Sequence, residues 1–193
     1  MNAVLDTAGG HLVDSLYDLN KTYWPEHDTV ENRGKKPLIR DLVNHGILDW
    51  PTQALIHDVL SVSTYDLEQT LIAGREFDAE NVVELPRGVA GDCHAMAAYG
   101  WVMNQKLSIV NGFADGCNCH SWLFDSKRNI VHEPTPIQRA RYFGYIVESP
   151  MKFVLGEITR ISRLFADGQL PRELALPFFL RWVKLLEKDM LED

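Results

Sequence analysis

The sequence predicts an α+β fold in which helices come first, a short antiparallel sheet occupies the middle, and helices return at the end. Two patterns predict this. Apolar residues recur at helical spacing before residue 75 and after residue 149, and strand-like alternation with turn signals is confined to roughly 107–147. Strands gathered in one block between helical blocks indicate α+β, whereas strict alternation of strand and helix would indicate a parallel sheet.

The elements follow in order. Leu12, Val13, Leu16, Tyr17 and Leu19 have helical spacing, and the polar stretch Pro25 to Lys36 reads as a loop. Leu38, Ile39, Leu42 and Val43 give a short helix that stops at Gly46. Pro51 suits a first helical position, ahead of Leu55, Ile56, Val59 and Leu60 on one face. Ser63 with Asp66 resembles a capping box and opens a helix through Leu67, Leu71 and Ile72, closed by Gly74. The Pro- and Gly-containing run Leu85 to Gly91 is a loop, and Asp92 is placed to cap a helix over Cys93 to about Asn104. Leu107 to Phe113 reads as a strand, followed by the turn signal Asp115-Gly116. Ser121 to Asp125 and Ile130 to Thr135 form two further strands around a turn within Ser126 to Asn129, and Tyr142 to Val147 forms another. A helix runs from Ser149-Pro150 to near Gly168. After Pro171 a last helix places Leu176, Phe179, Leu180, Val183 and Leu186 on one face.

The length of 193 residues fits a single domain, with 1–84 as a helical N-terminal part, 85–147 as the core helix and sheet, and 148–193 as C-terminal helices. Hydrophobic residues at 46% and charged residues at 24% are ordinary for a globular chain, and a domain of this size folds without needing disulfide or metal. The net charge of -8 argues against a nucleic-acid partner. No apolar run approaches the roughly 20 residues of a membrane span, and Met1 to Gly10 carries no secretory pattern, so a cytoplasmic location is expected. Cys93, Cys117 and Cys119 are then expected as thiols.

Three segments carry candidate chemistry. In Gly91-Asp92-Cys93-His94, a cap at Asp92 puts Cys93 in the first turn of a helix. Unpaired N–H groups and the helix dipole there favour a thiolate, and the same N–H groups can hold an oxyanion. Gly91 leaves room for a substrate backbone. In the second segment, His120, Trp122 and Phe124 alternate and share one face of a strand. The third contains Glu133. A hairpin pairing Asp125 with Ile130 sets Trp122 opposite Glu133, and His120 and Glu133 then lie diagonally on one face, about 7–8 Å apart at the backbone. A carboxylate beside an imidazole fixes its tautomer and leaves the other nitrogen to act as a base. Taken one at a time, each residue has a plain structural use: a buried cysteine, a half-buried core histidine and an exposed strand glutamate.

The order of these segments resembles the transglutaminase-like branch of the papain-like cysteine enzymes. His120-Ser121-Trp122 is similar to that branch's His-x-Trp element, and Glu133-Pro134-Thr135-Pro136 to its Asp-Pro-Thr element. The layout also resembles uncharacterised bacterial and phage proteins in which a Gly-x-Cys helix precedes His-x-Trp-Leu, Asp-Pro-Thr and Tyr-Phe-Gly, the last matched by Tyr142-Phe143-Gly144. The resemblance covers about residues 85–147. It implies a papain-like or transglutaminase-like core and a Cys93–His120–Glu133 triad acting on an amide or thioester through a thioester intermediate, without a cofactor. The substrate class it implies is a protein or peptide, with a peptidase or glutamine deamidase favoured over a transglutaminase or other acyltransferase. The chain departs from the pattern at Glu133, where the family has Asp, and at Arg87, where papain-like enzymes often carry an oxyanion-binding Gln. Arg87, Gly91, Asp92 and Trp122 are the candidate substrate or oxyanion contacts. Two alternatives use the same residues. One is zinc binding by Cys117, Cys119, His120, Cys93, His94 and His132, although Cys-x-Cys is not the usual zinc knuckle and no second ligand pair has finger spacing. The other is a catalytically inactive papain-like protein-binding module.

Overall fold

The computed structural model of the chain describes residues 13–18, 28–49, 53–80, 82–84, 91–116, 118–137 and 139–192. It has mixed α+β architecture. Residues 13–18 are helical, followed by α1 (Val30–Asn44), α2 (Gln53–Ser61), α3 (Thr64–Ala73), β1 (Arg75–Phe77), β2 (Val82–Glu84), α4 (Cys93–Met103), β3 (Ser108–Ala114), β4 (Asn118–Asp125), β5 (Ile130–Glu133), β6 (Tyr142–Ile146), α5 (Pro150–Ala166), a short 3-10 turn (Arg172–Leu174) and α6 (Ala175–Glu192). The strands form one sheet in the order β1-β6-β3-β4-β5-β2.

The chain divides into two compact units. The first comprises Met1–Ala79, Asn111–His120 and Arg139–Tyr145; the second comprises Glu80–Val110, Ser121–Gln138 and Ile146–Asp193.

In the first unit, Ile39, Leu42, Ile47, Leu48, Ile56, Val59, Leu60 and Leu67 bury their side chains around Phe113 of β3. α1 begins earlier than its apolar spacing predicts. Thr29 accepts a hydrogen bond from Asn32 N at 3.0 Å and so caps a helix that runs straight through Pro37. Pro37 supplies no N–H to the carbonyl one turn back, so that turn is held by packing instead. The buried Lys35 donates to Leu60 O at 2.9 Å and pairs with Glu31 at 3.2 Å, tying α1 to the end of α2. Ser63 caps α3 as its sequence predicts, accepting from Asp66 N at 3.1 Å and donating to Asp66 Oδ2 at 2.5 Å. The other oxygen of Asp66 accepts from Asn111 Nδ2 of β3 at 3.1 Å and from the Tyr145 hydroxyl of β6. One carboxylate thus joins a helix start to two strands. Gly112 allows β6 to come close, because a Cβ there would lie 2.2 Å from Phe143 O and 2.4 Å from Gly144 Cα. β1 pairs antiparallel with β6, Arg75 facing Gly144.

In the second unit, α4 presents Ala95, Met96, Ala97, Ala98 and Val102 to a core shared with Ile109, Leu123 and α5, together with Phe178 and Trp182 of α6. The small alanines let helix and sheet approach closely. α6 corrects the predicted apolar face. Phe178 and Trp182 are buried, whereas Leu176, Leu180 and Val183 are exposed. This helix is apolar on more than one side, and the side with the largest rings wins the core, since each fully buried large side chain contributes roughly 1.5–3 kcal/mol.

Two more expectations are corrected. The N-terminal part is not wholly helical, because β1 and β2 lie within it. Nor is the sheet purely antiparallel, because β2 runs parallel to β5, with Val82 beside Val131 and Glu84 beside Glu133. Both strands have only three residues and gain their hydrogen bonds from distant partners, so no local pattern announces them. The expected helix start at Pro51 lies outside the described residues. Among the described residues no helix is long and apolar enough to cross a membrane.

Burial, and then the hydrogen bond to Asp66, push the Tyr145 hydroxyl well above its ordinary 10.0. The folded chain therefore holds this proton more tightly than the unfolded chain does, and the stabilisation is complete below pH 10 and lost as pH rises beyond it. Tyr145→Phe is expected to lower the unfolding free energy by about 2 kcal/mol at pH 7, the range of hydrogen bonds to charged groups. Urea midpoints for the two proteins should converge as pH is raised from 10 to 11. A gap that stays constant would show that the stabilisation does not depend on the hydroxyl proton.

Candidate active site

Cys93 is the first residue of α4, half-buried, and a thiol in no disulfide. Gly91, just before it, has φ +81, a conformation that side-chain-bearing residues rarely adopt, and a Cβ there would meet open space. Glycine is therefore required here by backbone conformation. Asp92 holds the N-cap position but does not cap as predicted. Its backbone is at φ -116 and ψ 32, and its side chain makes no capping hydrogen bond. The carboxylate instead accepts from Arg160 Nε of α5, and the same guanidinium donates through Nη2 to Gly91 O at 3.1 Å. An exposed Arg on a neighbouring helix takes the carboxylate, because it adds a full positive charge and binds Gly91 O with the same guanidinium.

The next residue, His94, places Nδ1 2.6 Å from Ser121 Oγ of β4, and Ser121 is fully buried. Consecutive strand residues point to opposite faces, so Ser121 and Leu123 leave β4 on the side that α4 packs against, and Trp122 leaves on the other.

β4 and β5 pair as the turn length predicts, with Asp125 facing Ile130, Phe124 facing Val131 and Leu123 facing His132. The next step of this register sets Trp122 opposite Glu133. The turn is held by Asp125 Oδ1, which accepts from Lys127 N at 3.0 Å and Arg128 N at 3.2 Å, while Asn129 adopts φ 56. Glu133 is fully buried rather than an exposed strand residue. Its Oε1 accepts from Thr135 N at 2.9 Å and from the Thr135 hydroxyl at 2.6 Å, so it also shapes the Pro134 turn behind it. Trp122 is fully buried, which makes it a packing residue rather than a surface for substrate.

His120 belongs to the first unit and is 1% exposed. Its ring centroid lies 6.4 Å from that of the buried Tyr142, which gives the Tyr-Phe-Gly segment a physical role beside the imidazole. Cys93 and Glu133 belong to the second unit. Cys119 is a half-buried thiol packed against the core of the first unit; Arg87 and Cys117 lie outside the described residues. Among the described residues no three His, Cys, Asp or Glu side chains gather as metal ligands. On β5, burial lowers the pKa of His132, and Asp125 opposes that shift. On α5, burial raises the pKa of Glu157, with Arg160 pulling it down and Asp92 pushing it up.

Sequence reasoning missed Arg160, Ser121, Thr135 and Tyr142. Ser121, Thr135 and Tyr142 stood inside the motifs, and the Glu-x-Thr spacing is a local signal for a carboxylate capping its own turn. Arg160 is 68 residues from Asp92 and gives no such signal.

Comparisons with protein-family models, with curated proteins and with solved structures give no match for this chain.

Asp125 points away from the Trp122 face by strand alternation. Asp125→Asn retains an oxygen for both turn N–H groups and should change stability by less than about 0.5 kcal/mol. Asp125→Ala removes both bonds and should cost about 1–2 kcal/mol, read from thermal unfolding. Equal losses from the two variants would mean that charge, not turn geometry, is what Asp125 supplies.

Proposed function

We propose that the chain is a cysteine-dependent acyl-transfer enzyme of papain-like, transglutaminase-like layout. Cys93 is the nucleophile, His120 the general base and Glu133 the carboxylate that orients it. The favoured reaction is amide hydrolysis on a protein or peptide in the cytoplasm, as a peptidase or glutamine deamidase. The observation that supports this best is the position of Cys93. It is a half-buried thiol at the first residue of a helix, directly after a left-handed glycine and an aspartate whose carboxylate is turned away onto Arg160. A buried histidine on β4 and a buried glutamate on β5, in the order Cys, His, carboxylate, add to it.

His120 takes the thiol proton and the thiolate attacks the amide carbonyl carbon. Negative charge gathers on the carbonyl oxygen, against the N–H groups of the first turn of α4. The C–N bond breaks as the imidazolium gives its proton to the leaving amine, and Cys93 is left as a thioester. Water, deprotonated by the same imidazole, releases the acid and restores the thiol. An amine in place of water gives a transferase with the same residues. No cofactor enters these steps. Glu133 stabilises the imidazolium; its bond to Thr135 makes the carboxylate rigid.

The test needs no knowledge of the substrate. At pH 6.5, iodoacetamide followed by mass spectrometry should show Cys93 alkylated at least about tenfold faster than Cys117 and Cys119. His120→Ala should bring Cys93 down to their rate. Glu133→Gln should keep the fold, because an amide oxygen can still accept from Thr135, and should lower hydrolytic turnover about ten- to a thousand-fold once a substrate is in hand. One common rate for all three cysteines, rising only near pH 8.5, would sink the enzyme reading and leave a binding module. The contact between His94 and Ser121 marks His94 as the competing base. If His94→Ala abolishes the fast reaction and His120→Ala does not, the base is His94.

A further inference from the structure

We infer that Arg160 is a positioning residue for Cys93, one that holds Gly91 and Asp92 from α5 and neutralises the carboxylate next to the thiol. The inference rests on Cys93 being the nucleophile. It stands on geometry within the second unit. The Arg160 guanidinium binds Asp92 Oδ1 through Nε and Gly91 O through Nη2, at 3.1 Å for the latter. These are the two residues directly before Cys93. Arg160 lies on α5, which packs against α4 through the core of that unit, so the anchor is a rigid helix rather than a loop.

Two effects follow. An aspartate at an N-cap normally turns its carboxylate onto the N–H groups of the first turn. At Asp92 that would fill the place where the oxyanion has to bind, and it would set a negative charge against a thiol that must ionise. Arg160 draws the carboxylate away and offsets its charge. It also fixes Gly91 O, and with it the left-handed turn that starts the helix. Among the described residues, the charged and titratable groups packed around this helix start are Asp92, Arg160 and Glu157, with His94 on α4 itself; Arg181 of α6 binds Met103 O at the opposite end. Among the described residues, Arg160 is therefore the cation of this group. Its side chain is 54% exposed, so its effect is screened and should be moderate.

The pH dependence of Cys93 alkylation by iodoacetamide in the full chain tests this. Arg160→Ala should move the profile about half a unit to one unit upward, a fall of about three- to tenfold in rate at pH 6.5. Arg160→Lys should recover part of the loss, because it keeps the charge but not the two-pronged fork. The decisive protein is the double variant Asp92→Asn with Arg160→Ala. It lacks both the clamp and the charge that the clamp neutralises, and its profile should return toward wild type. A purely structural role for Arg160 would leave the double variant as impaired as the single one, and that result overturns the inference. So does a wild-type-like profile in Arg160→Ala while Cys93 is fast in the parent chain. An ordinary Cys93 profile in the parent chain instead removes the nucleophile reading, and the clamp's role falls with it.

Discussion

Successive side chains of a strand leave on opposite faces, and in β4 this rule sorts the residues around the candidate site. Ser121 and Leu123 face the core that contains α4, where Ser121 meets His94 and Leu123 packs among the alanines. Trp122 and Phe124 leave on the other face, and Val131 and Glu133 of β5, on the matching side of the hairpin, are buried as well. A shift of one residue in register would exchange the two sets and put Glu133 into the alanine-lined core. The Asp125 turn prevents that shift. Its two N–H bonds and the left-handed Asn129 fix the loop length, and the loop length fixes the pairing.

The rest of the chain is held by a few polar anchors set into apolar packing. Asp66 gathers a helix cap, an asparagine and a tyrosine; Lys35 satisfies the last turn of α2; Glu133 holds Thr135; Arg160 holds Asp92. Asp66, Lys35 and Arg160 each join an element to one remote in the chain, Glu133 holds its own turn, and each is a charged group whose bonds are stronger than those between neutral partners. Apolar burial supplies most of the favourable energy, but it is non-directional. The anchors decide which of several apolar arrangements is adopted.

Much of the fold was legible in the sequence where the deciding interactions are local. The Ser63 cap, the Asp115-Gly116 turn, the hairpin register and the boundaries of α4 and β6 follow from neighbours a few residues apart. What escaped was decided at a distance. The polar stretch Pro25 to Lys36 reads as a loop, yet α1 starts at Val30 and continues through Pro37. β1 and β2 are too short to show alternation and exist only because β6 and β5 offer an edge. The buried face of α6 depends on which of two apolar stripes carries the larger rings. The candidate site divides in the same way. Cys93 at a helix start and the pairing that sets Glu133 against Trp122 were readable. The carboxylate of Asp92 was assigned to its own helix, where local rules send it, and it was captured by an arginine the local rules do not see.

The two compact units are not consecutive stretches of chain. The first is assembled from three segments and the second from three others, and the backbone passes between them at residues 79–80, 110–111, 120–121, 138–139 and 145–146. Three of those passages fall inside single strands, β3, β4 and β6. Neither unit can therefore be excised by cutting the gene at one place. Opening either unit pulls on strands that belong to both. Loss of structure should thus spread through the whole chain as one event, rather than proceeding unit by unit as in proteins whose domains follow each other along the backbone.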